Sequence, residues 1–160
     1  MIIFGASGSG TTTLGRNLAQ TLNCIHLDVD DYYWERTNPP FQEKIPLSKR
    51  NALLAAEVKQ AENVIVSGSL VSWGDHWNTV FDLAIFLYLP ADIRMKRLRE
   101  REVERYGDSL LTDPFCRKNS EEFLTWAERY DDPAFEGRSL HTHQNWLNAL
   151  NCPVLRIDGE

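Results

Sequence analysis

A chain of 160 residues, 42% hydrophobic and 25% charged, has the length and composition of one compact soluble domain with its own core. A formal charge of −6 excludes the broad electropositive surface of a general nucleic-acid binder and leaves room only for a local basic cluster around one anionic ligand. No apolar run approaches the ~20 residues of a membrane helix, the opening Met1 to Phe4 is too short for a signal peptide, and Cys24, Cys116 and Cys152 lack CxxC spacing, so a cytoplasmic protein with reduced thiols is expected.

Met1 to Phe4 reads as a strand running straight into a Gly-rich turn. Thr12 to Leu22 reads as a helix, with Leu14, Leu18 and Leu22 on one face. Cys24 to Leu27 is a second strand closed by Asp28, and Asp30 to Pro46 is loop-like, with three prolines and many aromatics. Leu47 to Ala61 follows as a helix with Ser48 as its N-cap. Val64 to Val66 is a β-branched strand ending at Ser67-Gly68-Ser69. Leu83 to Leu89 is a nearly continuous apolar strand stopped by Pro90, as suits a sheet covered on both faces. Ala91 to Arg105 is a charged helix, Ser120 to Tyr130 and Ser139 to Leu150 are further helices, and Val154 to Ile157 is a last strand. Strands alternating with helices predict an α/β fold with a mainly parallel sheet in a single domain. His141 and His143, two apart on a helix, diverge and share no metal.

The chemistry begins at Gly5-Ala6-Ser7-Gly8-Ser9-Gly10-Thr11-Thr12-Thr13, between the first strand and the first helix. In that setting glycines let successive backbone N–H groups turn inward on phosphate oxygens, and the helix N-terminus adds positive potential. The pattern G-x-x-x-x-G-K-[ST] is met by Gly5, Gly10 and Thr12, with Thr12 in the position of the magnesium hydroxyl. Thr11 stands where the pattern has lysine. A hydroxyl can hydrogen-bond phosphate but cannot neutralise it, so either another cation substitutes or the chain binds nucleotide without efficient transfer.

Gly-Ser-Gly-x-Thr-Thr-Leu-Gly-Arg-x-Leu-Ala followed by Asp28-Val-Asp30 resembles the adenylate kinase and shikimate kinase group of P-loop kinases. The resemblance continues through Pro90, the arginine-rich helix and the last strand. It implies a three-layer fold with a five-stranded sheet flanked by helices, a mobile lid here around residues 101–119, ATP as phosphoryl donor, Mg²⁺, and a small-molecule acceptor such as a nucleoside, nucleotide, sugar or shikimate-like acid. On that resemblance Asp28 and Thr12 serve magnesium and Asp30 serves the acceptor as base or orienting carboxylate. Asp30-Asp31-Tyr32-Tyr33 also resembles a stretch of uridine and nicotinamide riboside kinases in which the first Asp is the base.

Tyr32, Tyr33, Trp34 and Phe41 form either an acceptor wall, with Tyr33 foremost, or core anchors. Ser67, Gly68 and Ser69 correspond to the Gly-rich substrate loop of shikimate kinases without its run of glycines. Trp73 and Trp77 either line the same pocket or pack beneath it. Arg94, Arg97, Arg101 and Arg105 recur at helical spacing, as a salt-bridged exposed face or, by resemblance, as a source of lid cations. Arg101 and Arg105 are the lid candidates that would replace the missing lysine, with Arg138 behind them.

Overall fold

The computed structural model describes residues 1–38 and 40–159. Five strands, β1 (Ile2–Gly5), β2 (Ile25–Asp28), β3 (Val64–Ser67), β4 (Ala84–Tyr88) and β5 (Val154–Asp158), form one sheet in the order β2-β3-β1-β4-β5. Every pairing in it is parallel. Among the described residues seven helices surround it: α1 (Thr11–Leu22), α2 (Val29–Tyr33), α3 (Leu47–Gln60), α4 (Ala91–Tyr106), α5 (Ser109–Thr112), α6 (Pro114–Glu128) and α7 (Leu140–Ala149), with short 3-10 turns at Asp75–Thr79 and Arg129–Asp131. The α/β class and the five-stranded sheet agree with the sequence pattern.

Strand periodicity divides the core. Ile2, Phe4, Leu27, Val66, Ala84 and Phe86 face a large cluster with Leu54, Trp73, Trp77, Phe81 and Trp146. The alternate residues Ile3, Ile65, Ile85 and Leu87 face Ala19, Leu14 and Leu18 of α1. Burial on both faces is why β4 reads as a continuous apolar run. A smaller cluster of Met95, Leu98, Ala127 and Phe123 joins α4 to α6.

Two local expectations are corrected. Residues 30–33, read as the start of a loop, belong to α2, because the Asp28 carboxylate accepts the Asp30 amide at 3.0 Å and caps the turn. Ser48 does not cap α3; the helix starts at Leu47 behind Pro46, whose fixed φ sets its entry without a side-chain bond. Within the segment expected as a lid, Asp113 caps α6 by accepting the Phe115 amide at 2.8 Å, and Pro114 takes the first helical position.

Register then gathers the chemistry. Gly5 lies level with Leu87, and Asp28 with Ser67, so the C-terminal ends of β1, β2 and β3 open onto one edge.

Candidate active site

At that edge the backbone turns back on itself, with the Ser9 amide donating to the Ala6 carbonyl at 3.1 Å. Helix α1 starts behind Gly10, which has φ 96°, no side-chain cap and no acidic residue in the first turn. The first-turn amides of Thr11, Thr12 and Thr13 have no intrahelical acceptor, and the positive end of the helix dipole is left uncompensated. A Cβ placed on Gly10 would meet nothing within 4 Å, so the concavity before the helix is open. Gly8 differs. A Cβ there would come within 2.9 Å of the Arg94 carbonyl, so this glycine lets the loop pack on α4. The buried Ser9 hydroxyl has no partner among the described residues. Open amides, an orphaned hydroxyl and an empty concavity suit an anion with several acceptor oxygens.

The Thr12 hydroxyl donates to one oxygen of Asp28 at 2.8 Å, while the other oxygen holds the α2 cap. A hydroxyl and a carboxylate are hard oxygen donors of the kind Mg²⁺ takes when waters and phosphates fill its remaining positions. Asp30, two residues on, is reached by solvent yet densely surrounded by protein. Desolvation and the neighbouring Asp28 raise its carboxyl above the ordinary range, against the pull of Arg138, Arg101 and Arg105.

Two of those arginines, Arg101 and Arg105, come from α4, and the third, Arg138, from the segment before α7. Arg138 precedes α7, lies 4.9 Å over the Trp126 ring and is the foremost cation acting on Asp30; desolvation lowers its own pKa. Arg101 rests over Phe123 at 5.8 Å, its pKa lowered by desolvation and by Arg105 beside it. Arg105 pairs with buried Glu102 at 2.9 Å and lies 4.4 Å over Phe41. Arg138, ranked behind the helix arginines on sequence, acts on the Asp30 carboxyl ahead of both. The helical arginine stripe is not one surface: Arg97 is exposed, and Arg94 is fully buried.

The residues expected to form an acceptor wall also divide. Tyr32 is buried in the core, whereas Tyr33 is half-buried with Arg50 over its ring at 4.3 Å. Arg50 also lies 4.9 Å from the ring of Trp73, and its Nε and Nη1 are buried without a partner among the described residues. Asn51 fixes this wall by donating to the Trp73 carbonyl at 2.7 Å and accepting the Trp77 indole N–H at 2.8 Å, and both tryptophans are packed into the core. Arg50 escaped the sequence reading because nothing in Ser48-Lys49-Arg50-Asn51 separates it from an exposed helical arginine.

Ser67 and Ser69 turn inward. Ser67 bonds His26 at 2.9 Å and Ser69 bonds His143 at 2.9 Å. Gly68, at φ 111°, packs against Val29. Both hydroxyls of this loop are thus buried and engaged with histidines. His141 is exposed and His143 is buried, as their spacing predicts.

Residues 1–124 match the family described as AAA domain. The chain is 42% identical over 158 residues to the uncharacterized protein YqaC of Bacillus subtilis, covering 99% of this chain and 87% of that one. It is 23% identical to a uridine kinase of Lactobacillus helveticus, across 68% of this chain and 69% of that protein. Its fold is that of a solved shikimate kinase from Bacteroides thetaiotaomicron, with a TM-score of 0.55 at 18% identity over 98% of this chain and 86% of the other. On the family match and the near full-length Bacillus relative, the chain belongs to the AAA domain family, and it carries the fold of the P-loop small-molecule kinases.

Proposed function

We propose that this protein is a phosphotransferase that takes a phosphoryl group from ATP and delivers it to a small acceptor held beside Asp30. The observation that carries the reading is the Thr12–Asp28 hydrogen bond, which ties the open N-terminus of α1 to the carboxylate turn that presents Asp30. Residues Gly5 to Thr13 cradle the phosphates through backbone amides. Thr12 and Asp28 would hold Mg²⁺, which supplies charge neutralisation on the phosphates when bound. Asp30 orients the acceptor hydroxyl and takes its proton; a carboxyl raised above the ordinary range is a stronger base than a solvated one. Arg138, Arg101 and Arg105 supply the positive charge that Thr11 cannot, two of them from the lid segment. Arg50, with two unpartnered nitrogens between aromatic faces, fits an acid group on the acceptor.

Thr11 itself favours a second reading, a nucleotide-binding regulator without turnover. A thermal-shift screen of nucleotides and small hydroxy acids, with and without Mg²⁺, tests ligand binding through mass action. Gly10→Val separates the site from the fold: its side chain enters open space where phosphate must approach, although φ 96° adds some strain. ATP affinity by calorimetry is expected to vanish while the variant stays folded. Unchanged affinity would remove the phosphate-loop assignment. Phosphate transfer by Thr11→Lys to an acceptor that wild type ignores would establish the regulator.

A further inference from the structure

The buried face of α4 carries a polar chain that the proposed chemistry does not use. Arg94 has no solvent exposure. Its Nε donates to the Leu89 carbonyl at 2.9 Å, Nη1 to the Ala127 carbonyl at 3.5 Å, and Nη2 to Asp131 at 2.5 Å. The guanidinium lies 4.8 Å over the ring of Tyr130. Tyr130 Oη bonds His143 Nδ1 at 2.7 Å, and His143 Nε2 bonds the Ser69 hydroxyl at 2.9 Å. The imidazole is fully buried, with the rings of Phe4 and Phe86 at 5.3 and 5.9 Å. Both ring nitrogens are engaged, so in the neutral imidazole one donates and the other accepts.

This chain joins the three parts that the proposed reaction must bring together. Its first end touches the phosphate loop, because Gly8 packs on the Arg94 backbone. Its middle grips the last turn of α6, the helix whose Trp126 and Phe123 carry Arg138 and Arg101. Its far end fixes Ser69 in the loop after β3. Asp131 leaves one oxygen buried and unpartnered among the described residues, so this joint is the one place in the chain where a second arrangement could gain a bond.

We propose that Arg94 is a positioning residue at the phosphate-loop end of a buried relay, Arg94–Tyr130–His143–Ser69, through which occupation of the phosphate loop sets α6 and the loop after β3 together. The relay rests on the phosphate-loop reading and adds to it that the two ligand sites are energetically coupled. Displacement of Gly8 by a bound phosphate moves the Arg94 backbone, Arg94 transmits this to Tyr130 and Asp131, and His143 hands it to Ser69. Desolvation holds the His143 pKa at about 3, which keeps the imidazole neutral and the relay intact across the physiological range.

The test uses the full chain with ADP as probe. Calorimetry gives ADP affinity, and hydrogen exchange read by mass spectrometry follows residues 64–73 and 126–146 with and without ADP. In wild type, ADP is expected to slow exchange in the loop after β3 about tenfold, the usual scale of coupling between sites. Tyr130→Phe removes one hydroxyl and keeps the ring under Arg94. It should retain ADP affinity and lose the ADP-dependent slowing at 64–73. His143→Gln is the second variant, with the same expectation, should Tyr130→Phe fail to fold. A merely structural role would speed exchange equally with and without ADP. Undiminished ADP-dependent slowing in the folded variant, or none in a wild type that binds ADP, overturns the relay. Absence of ADP binding to wild type overturns the phosphate-loop reading first and the relay with it, and calorimetry alone reports that result.

Discussion

Asp30 stands against stability and for chemistry at once. Its carboxyl is raised above the ordinary range, so the fold disfavours the ionised form relative to the unfolded chain. The sign follows directly: stability linked to its proton is present at acid pH and is lost as pH rises through the folded pKa. At neutral pH, Asp30→Asn should therefore melt at a higher temperature than wild type, measured by calorimetric scanning. With an acceptor in hand, the same variant should lose at least about 100-fold in kcat. A drop in melting temperature would show that Asp30 is held by its arginines more strongly than it is opposed by burial and Asp28. Thr12, Asp28 and Asp30 were legible in the sequence because strand ends and short spacings fix them locally. Ser67 and Ser69 were not, because their orientation is decided by His26 and His143, 41 and 74 residues away. Arg94 was misplaced for a different reason. Helical period reports the angle of a side chain about the axis, and Arg94 and Arg101 share that angle two turns apart; it does not report which turn lies beneath α6.

At the level of elements, α7 links the cation cluster to the relay. Ser139 caps the helix by accepting the Thr142 amide at 3.2 Å, and the Thr142 hydroxyl accepts the Ser139 amide at 2.8 Å. This reciprocal box fixes the entry of the chain, and Arg138 is the residue just before it. Ser139→Ala should lower unfolding free energy by about 1 kcal/mol in a denaturant titration. It should also weaken turnover through a looser Arg138, an effect that Thr142→Ser, which keeps the hydroxyl, would not share. A stability loss with unchanged kinetics would separate the cap from the site. Most strand and helix ends were readable within two residues, although α6 begins at Pro114, six residues ahead of the expected Ser120. What escaped it were α2, α5 and the 3-10 turn at Asp75–Thr79, elements too short for periodicity to register.

Across the whole molecule, the pH profile of unfolding should carry the mark of His143. Its folded pKa of about 3 lies below the ~6.5 of an exposed histidine. The stabilising contribution is complete above pH ~6.5 and declines as pH falls toward 3, since only the unfolded chain takes up the proton in that window. The loss over the full window is on the order of a few kcal/mol. Denaturant titrations at successive pH values should show it, with a shallower slope in His143→Gln. A parallel slope in the variant would assign acid sensitivity to the carboxylates. The sheet order has a consequence of another kind, in the history of each molecule as it is made. The central strand, β1, precedes both of its neighbours in chain order, with β3 and β4 some 60 and 80 residues further along. A growing chain therefore carries Ile2 and Ile3 without either neighbour until Ser67 has emerged from the ribosome and without the second until Leu87 has, and Gly8 has no seat until Arg94 follows it. The phosphate cradle, written in the first thirteen residues, is one of the later parts of the molecule to take shape.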